Sequence, residues 1–293
     1  MRHIDKDLND CPVSLMPATN HFFTDGNYPK DAFDTHNCRK RMVDGKKYSS
    51  DADSLYKAQD VKEKLEKLYL NKCAYCEQKI ESYHVEHYRP KRAFLHNTAQ
   101  QHEGYPWLSL SWDNLMLACP KCNEKKGCKF DIKNERVTVA NAPQTDSEWN
   151  DIHNLSKQCD QEEQPLLLNP ERCNPEDHFA FAIDGTISYK TEEGKYTIDT
   201  CKLDRTYLND KRREVINHFV RRLAGKIERF SQNPEKIDEQ IIDELNEFDV
   251  ELEDVEEEFT MFRKQAKNWY AEIIRQAKTS NKVDIQQSQT VSS

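Results

Sequence analysis

Two cysteine pairs constrain this chain more than any other feature of its sequence. One pair is Cys73 and Cys76, the other is Cys119 and Cys122, and both have the C-x-x-C spacing. Two such pairs can supply four thiolates to one tetrahedral ion, as closed structural zinc sites do. An ion held by all four sulfurs would clamp both ends of residues 77–118. This segment is too long for a simple zinc ribbon, so it is expected to have a fold of its own.

The ten cysteines favour metal binding over disulfides. Residues 1–9 are charged and lack the apolar stretch of a secretory signal, and no apolar run approaches the length of a membrane span. We therefore expect a cytoplasmic protein with reduced thiols. The paired cysteines could instead form a redox site or ordinary buried thiols. The other six are expected to be free thiols, although Cys128 lies close enough to the second pair to act as a substitute ligand.

The charge of the chain is unevenly distributed. The formal net charge of -9 argues against general affinity for nucleic acid. However, residues 205–229 contain 8 Lys/Arg and 3 Asp/Glu, whereas residues 231–260 contain 1 Lys and 13 Asp/Glu. A local basic face, rather than the net charge, determines contact with phosphates. The acidic stretch is either a solvated helix face or a docking surface for a basic partner.

The periodicity of apolar residues predicts an α+β fold. Residues 83–88 have the pattern of a strand that ends at Pro90, and residues 114–118 form a second, short apolar strand. Pro120 can begin a helix, because its missing N–H is not needed in the first turn. The alternation of apolar residues over 108–112 favours an extended segment before the second strand. The predicted segments are an irregular N-terminal arm (1–50), a core with the four-cysteine zinc site (51–135), a mixed strand and loop segment packed on the core (136–204), a helical region (205–278) and a disordered tail (279–293).

The residues around the two strands could hydrolyse a phosphodiester, which requires a base, a charge sink and a phosphate clamp. His87 is the candidate base. Glu86 and Asn123 offer oxygen ligands, which suit Mg²⁺ or Mn²⁺ better than zinc. Asn114 is expected to fix the loop that orients the histidine. The candidates for phosphate contact are Arg89, Lys91, Arg92, Lys125 and Lys126.

None of these residues carries the argument alone. A single histidine on a strand is usually structural, and a Glu-His pair by itself has little meaning; the order of the set relative to the cysteines is what favours a site. His84 shares a strand face with Glu86. It could be a third metal ligand or a partner of the substrate, but a structural role or a role in supporting the ligands is favoured.

The order of these residues resembles that of the ββα-metal (HNH) nucleases. The resemblance implies that His87 is the catalytic base, Glu86 the metal carboxylate and Asn114 the middle asparagine. Asn123 stands where the last histidine of the motif often is, and Glu86 stands where many members have Asp. The motifs concerned are Cys73-x-x-Cys76, Val85-Glu86-His87-Tyr88-Arg89-Pro90-Lys91, Asp113-Asn114-Leu115 and Cys119-x-x-Cys122-Asn123-x-x-Lys126-Gly127.

Further motifs resemble the PtuB-type HNH subunits of Septu anti-phage systems, including retron-associated ones, over roughly residues 70–213. The resemblance implies an effector nuclease gated by an ABC/SMC-like ATPase (PtuA-type) and, in retrons, a reverse transcriptase with its RNA–DNA hybrid. A chain with a small basic face should bind nucleic acid weakly by itself, so recruitment by a partner is reasonable. The motifs are Gln164–Pro170, His178-Phe179-x-Phe181, Asp184-Gly185 and Leu203-Asp204-Arg205-x-x-Leu208-x-x-x-Arg212.

Two other functions remain open at this point. One is a free-standing HNH endonuclease, which would cleave DNA with Mg²⁺ or Mn²⁺ alone. The other is a non-catalytic zinc module that binds nucleic acid or a partner. The sequence does not distinguish DNA from RNA as the substrate, because metal-assisted attack on a phosphodiester does not need a 2′-hydroxyl.

Overall fold

The computed structural model describes residues 1–16, 38, 41–44, 48–92, 94–96, 100–138 and 155–290. None of the helices in these ranges is long and apolar enough to cross a membrane. The helices are Ala52–Tyr56 (α1), Gln59–Tyr69 (α2), Pro120–Lys126 (α3), Leu155–Glu163 (α4), Glu192–Cys201 (α5), Thr206–Arg229 (α6), Pro234–Glu253 (α7), Thr260–Gln265 (α8) and Tyr270–Thr290 (α9). The strands are His84–His87 (β1), Phe94–His96 (β2), Gln100–His102 (β3), Leu115–Ala118 (β4), Phe179–Phe181 (β5) and Ile187–Tyr189 (β6).

The chain divides into two compact units. The first contains Met1–His178 and Tyr189–Lys202, and the second contains Phe179–Ser188 and Leu203–Ser293. Both cysteine pairs, the β1–β4 sheet and α3 therefore belong to the first unit. Helices α6 to α9 belong to the second.

The centre of the first unit is an antiparallel pair of strands followed by a helix. β1 pairs with β4 in a register that sets Glu86 opposite Met116 and His87 opposite Leu115. All four residues of β4 are buried, whereas β1 becomes buried only at its last two residues. α3 begins at Pro120 directly after β4. The predicted α+β class and the order strand, loop, strand, helix are confirmed.

Helices α2 and α3 support this sheet. α2 buries Val61, Leu65 and Tyr69 along one face at helical spacing, and it contacts β4. α3 contacts β1, and α5 packs on α3. The strand that carries Glu86 and His87 is thereby held by β4 and by α3, whose N-cap is Cys119.

The second unit is a β5–β6 hairpin with helices α6 to α9. Its core contains aromatic contacts, among them Phe219 with Phe248, whose ring centroids lie 4.2 Å apart. The basic and acidic stretches of the sequence meet here, because Arg222 of α6 pairs with three carboxylates of α7. These pairs are with Glu244 at 2.8 Å, with Glu247 at 3.0 Å and, at a shorter distance, with Glu251.

One local prediction is wrong. Residues 108–112 are not extended, because short 3-10 helices span Pro106–Leu108 and Trp112–Asn114. Their backbone N–H groups are satisfied by nearby carbonyls, as in the bond from Ser111 to Leu108 at 3.2 Å. The disordered tail over residues 279–293 stays a prediction; α9 extends through Thr290, and residues 291–293 lie outside the described residues.

Candidate active site

The four cysteines of the two pairs meet in one buried cluster. Their Sγ atoms all lie within 4.8 Å of one another, and those of Cys76 and Cys119 are 3.9 Å apart. Zinc–sulfur bonds of about 2.3 Å in a tetrahedron place the sulfurs roughly 3.8 Å apart. The cluster is therefore compatible with a zinc site. Cys128 is exposed and lies outside it.

Backbone contacts attach this cluster to the sheet and to α3. The N–H of Ala74, between the first two cysteines, donates to the carbonyl of Leu117 in β4 at 2.8 Å. Cys119 is the N-cap of α3, and its Sγ accepts from the N–H of Cys122 at 3.4 Å. Hydrogen bonding from the Cys122 side chain lowers the pKa of Cys119, so the cluster favours a thiolate at the position that caps the helix.

His87 lies at the inner end of β1 and is 6% exposed. Its Nε2 lies 3.0 Å from the carbonyl oxygen of Ser109. Because a carbonyl only accepts, Nε2 carries the hydrogen and Nδ1 is left as the proton acceptor. Burial lowers the pKa of His87 well below its usual value, and the charge of Lys91 lowers it further. The imidazole is therefore neutral near pH 7, as a general base must be.

Glu86 is buried against a lysine of α3. Its Oε1 lies 2.5 Å from Nζ of Lys126, which also donates to the carbonyl oxygen of His87 at 2.8 Å. The Lys126 side chain is 1% exposed. Lys126 thus holds the backbone and the carboxylate of the Glu-His pair, instead of reaching into solvent for a phosphate as the sequence analysis expected.

Arg89 is fully buried, so the expected phosphate contact is wrong. The side chain is fully buried, with Nη2 2.6 Å from Oδ1 of Asp160 and Nη1 2.8 Å from Oε2 of Glu163. Both carboxylates come from α4, far along the chain from Arg89. The guanidinium is an internal ion pair that joins α4 to the segment after β1.

Asn123 and His84 lie together at the open end of the sheet. Nδ2 of Asn123 is 2.7 Å from Nδ1 of His84, and this contact is exposed. An amide that donates through Nδ2 keeps its Oδ1 available as a ligand. Asn123 and His84 line the same cleft as the Glu86 carboxylate. A carboxylate and an amide oxygen are the donors that Mg²⁺ and Mn²⁺ accept, so the donor set fits such an ion.

Asn114 fastens the loop that follows β1. Its Oδ1 accepts from the N–H of Arg89 at 2.8 Å, and its Nδ2 donates to the carbonyls of Arg89 and Leu108, each at 3.1 Å. Its own carbonyl accepts from the N–H of Tyr88 at 2.9 Å. The side chain is fully buried and does not line the cleft. Its geometry is that of a residue that positions the chain around His87.

A cleft of about 560 Å³ opens over these residues. Lys91 lies on its wall, with Nζ 4.0 Å from the centroid of the Tyr56 ring and 3.4 Å from Oδ1 of Asp53. Burial lowers the pKa of Lys91 to about 8. The guanidinium of Arg92 lies 4.8 Å from the centroid of the Tyr48 ring. The lining residues are Tyr56, Lys57, Lys62, Tyr83, His84, Val85, Glu86, His87, Pro90, Lys91, Arg92, Asn123, Lys126, Gly127 and Cys128.

Lys125, like the buried Arg89, is a phosphate candidate that does not line the cleft. It is partly exposed on α3 and pairs with Glu124 at 3.4 Å.

Several residues that line the cleft were missed by the sequence analysis. They lie before the first cysteine pair, or between the two pairs but outside any motif. The only feature of the sequence that could have indicated them was the helical pattern that leads into the first cysteine pair. They are Tyr56, Lys57, Lys62 and Tyr83.

Tyr56 makes the most direct of these missed contacts. Its ring meets the His87 imidazole edge to face, with centroids 4.6 Å apart and an interplanar angle of 81°. Its hydroxyl contacts Nζ of Lys91 and lies 3.2 Å from Oδ1 of Asp53. α1 therefore supplies a wall that restricts the orientation of the histidine.

Comparison with known proteins agrees with this geometry. The family model for HNH endonuclease matches residues 73–129, which include both cysteine pairs, β1, β4 and α3. No solved structure matches the chain.

Three curated relatives are named as Septu proteins. Septu protein PtuB of Bacillus mycoides (strain KBAB4) is 35% identical over 168 residues, which cover 55% of this chain and 52% of that protein. Septu protein PtuA of the same strain is 30% identical over 162 residues, 54% of this chain but 21% of that protein. Septu protein PtuB of Bacillus thuringiensis is 37% identical over 71 residues, 23% of each chain.

The matches cover only part of this chain and part of each relative. This chain spans about half the length of the Bacillus mycoides PtuB and about a fifth of the PtuA that it matches. Within the matched family region, the cysteine cluster, the Glu-His strand and the helix with Asn123 occur in the order expected of the motif. Residues 73–129 thus match the HNH endonuclease family, and the chain is similar, over about half its length, to Septu protein PtuB.

Proposed function

We propose that this protein is a metal-dependent endonuclease that hydrolyses nucleic-acid phosphodiester bonds. The observation that carries the proposal is the state of His87. Its Nε2–H is committed to the Ser109 carbonyl, its low pKa keeps Nδ1 unprotonated, and Glu86 and Asn123 line the same cleft. A neutral base beside two hard oxygen donors is what metal-assisted hydrolysis requires.

In the proposed reaction, Nδ1 of His87 takes a proton from a water molecule as the oxygen of that water attacks phosphorus. The bond between phosphorus and the leaving oxygen breaks, and that oxygen later takes up a proton. Tyr56 and the Ser109 carbonyl hold the imidazole in one orientation. Lys91 and Arg92 offer positive charge to the phosphate from the wall of the cleft.

We assign two different metal sites. Zinc is proposed at Cys73, Cys76, Cys119 and Cys122, where it would be closed and structural. Mg²⁺ or Mn²⁺ is proposed at Glu86 and Asn123, with His84 as a supporting neighbour. When bound there, the divalent ion supplies stabilisation for the negative charge that develops on the leaving oxygen.

The names of the relatives support a wider context. We infer that the protein is the effector nuclease of an anti-phage system of the Septu type, that its partner is a PtuA-type ATPase and that it acts in the cytoplasm. DNA and RNA both remain candidate substrates. A retron reverse transcriptase and its RNA–DNA hybrid stay predictions of the sequence motifs alone, since the matched names include no retron component.

The test compares wild type with His87→Ala on plasmid DNA and on total RNA, with Mg²⁺ or Mn²⁺, with and without the proteins that copurify with the chain. His218→Ala, an exposed histidine of the second unit, is the matched control. We expect cleavage that requires the partner, is abolished by His87→Ala and is unchanged by His218→Ala. The substrate that is cut identifies the nucleic acid.

Other outcomes would select the alternatives. Cleavage of DNA by the isolated chain would favour a free-standing endonuclease. Equal activity of wild type and His87→Ala would remove His87 from the mechanism. No cleavage in any combination, with zinc bound and the fold intact, would favour a zinc module that only binds.

A further inference from the structure

Two lysines outside the nuclease motif, Lys57 and Lys62, lie on the rim of the cleft. Lys57 directly follows α1, and Lys62 lies in the first turn of α2, so we call the two residues the helical rim. We propose that the helical rim binds backbone phosphates that flank the bond to be cut. This inference rests on the proposed nuclease function and extends its binding site to a segment that precedes the family region at residues 73–129.

The position of Lys57 is fixed by its neighbour Tyr56. The ring of Tyr56 contacts the His87 imidazole, and Nζ of Lys57 lies 5.4 Å from the centroid of the same ring. A phosphate near His87 is therefore separated from Lys57 by one aromatic ring. This distance suits a contact to a neighbouring phosphate better than a contact to the reacting one.

The ion pair that Lys57 already makes does not prevent this role. Its Nζ lies 3.0 Å from Oδ2 of Asp53, and the two side chains are 51% and 38% exposed. Pairs this exposed contribute little to stability, so a phosphate can replace the carboxylate at small cost. Hydrogen bonding to Asp53 raises the pKa of Lys57, so the amine stays charged over the whole working range.

The charges of the residues that line the cleft also support phosphate binding by the helical rim. Lys126 and Glu86 compensate each other at 2.5 Å. The lining then retains Lys57, Lys62, Lys91 and Arg92, contributed by two separate segments of the first unit. The wall after β1 alone would contact one short stretch of backbone. With the helical rim, cations border the cleft along both segments, as a groove that follows a nucleic-acid strand does.

Binding measured apart from cleavage tests the proposal. Labelled single-stranded and duplex oligonucleotides are titrated at several salt concentrations with the chain in complex with the proteins that copurify with it, and the chain carries His87→Ala to keep the substrate intact. Lys57→Ala and Lys62→Ala are introduced singly and together. Lys67→Ala is the matched control, because Lys67 is exposed on α2 and does not line the cleft. Zinc content and thermal unfolding verify that every variant is folded.

We expect each rim substitution to reduce the slope of log affinity against log salt by about 0.7 to 0.9, as loss of one phosphate contact does. The slope should fall by about twice as much in the double variant. It should keep the parent's value in Lys62→Arg and in Lys67→Ala. Rim variants with the parent's affinity and slope would refute the proposal, as would a parent that binds neither oligonucleotide. A rim effect on binding without any cleavage by the wild-type complex would instead count against the nuclease function alone.

Discussion

At the scale of single residues, Lys126 has the most telling contacts. One ammonium group joins the Glu86 carboxylate and the His87 carbonyl, so it fixes the two adjacent residues that the proposed mechanism assigns to metal and base. A buried carboxylate without such a partner is costly, because its charge has been removed from water. The cation therefore offsets the cost of placing the Glu86 carboxylate where it is only 5% exposed.

Removing this cation should destabilise the first unit. We expect Lys126→Met to lower the free energy of unfolding by about 3 kcal/mol, since it leaves a buried carboxylate uncompensated. Urea denaturation measures the effect. Lys125→Met is the control, because the Lys125 side chain is 39% exposed and its loss should change stability by less than about 0.5 kcal/mol. Equal effects of the two substitutions would contradict the role given to Lys126.

The pH dependence of substrate binding should report on Lys91. Because burial lowers its pKa to about 8, Lys91 is charged below that pH and becomes neutral as the pH rises through it. Affinity for the substrate should fall over this range, and Lys91→Arg should abolish the fall because arginine stays charged. An unchanged profile in Lys91→Arg would show that another group titrates.

The lowered pKa of Lys91 should affect folding stability in the opposite direction to substrate affinity. A lysine with a pKa below its unfolded value binds its proton less tightly in the folded state. The contribution of Lys91 to stability therefore becomes more favourable as the pH rises from about 8 towards the ordinary value of 10.5. Substrate affinity and this contribution to stability should thus change in opposite directions above a pH of about 8.

At the scale of elements, α3 joins the cysteine cluster to the cleft. Within seven residues it carries Cys122, Asn123 and Lys126, and Cys119 caps its first turn. A helix this short is marginal by itself, because nucleation is costly and few hydrogen bonds follow. Its position therefore depends on its two ends, one at the sulfur cluster and the other at Glu86.

Loss of a cluster cysteine should consequently affect the cleft as well as the metal. We expect Cys119→Ala to lose zinc, to increase hydrogen exchange across β1 and α3 and to lose nuclease activity. Cys128→Ala, an exposed thiol outside the cluster, should keep all three properties. The measurements are metal content per chain, amide exchange and cleavage. A metal-free Cys119→Ala chain with native protection in β1 would show that the cluster does not support the site.

The parts of the site that were predictable from sequence are those set by short-range patterns. The strand around Glu86 and His87, the helix start at Pro120 and the meeting of four cysteines follow from alternation, proline chemistry and paired spacing. The burial of Arg89 was not predictable, because its partners Asp160 and Glu163 come from a distant helix. Likewise, the break between α1 and α2 was not predictable, because no Gly or Pro marks it. The contact of Tyr56, the last residue of α1, with His87 is visible only in the structure.

At the scale of the whole molecule, charges of the basic and acidic stretches pair with each other inside the second unit. Arg222 and Lys226 of α6 pair with Glu244 and other carboxylates of α7. The basic stretch is therefore less available for nucleic acid, and the acidic stretch less available for a partner, than their composition suggests. The cations that line the proposed substrate cleft belong to the first unit instead.

Arg222 should accordingly matter for stability and not for cleavage. We expect Arg222→Ala to lower the free energy of unfolding by about 1 to 2 kcal/mol, because Glu244 is 1% exposed and loses one of its two cationic partners. Arg221→Ala, at an exposed neighbouring position, should be nearly neutral. Thermal unfolding and nuclease activity are the measurements. A loss of activity at unchanged stability would place α6 in substrate binding after all.

The cysteine cluster also has a consequence for how the domain can vary in length. Residues 77–118 form a closed loop between the two pairs, and the hydrogen bond from Ala74 to Leu117 seals its ends beside the sulfurs. Once the ends of a loop are fixed, doubling its length costs only about 0.6 kcal/mol. Insertions in the segment between β1 and β4 should therefore cost little in loop entropy, so a peptide tag or a new recognition segment introduced there should leave β1 in place.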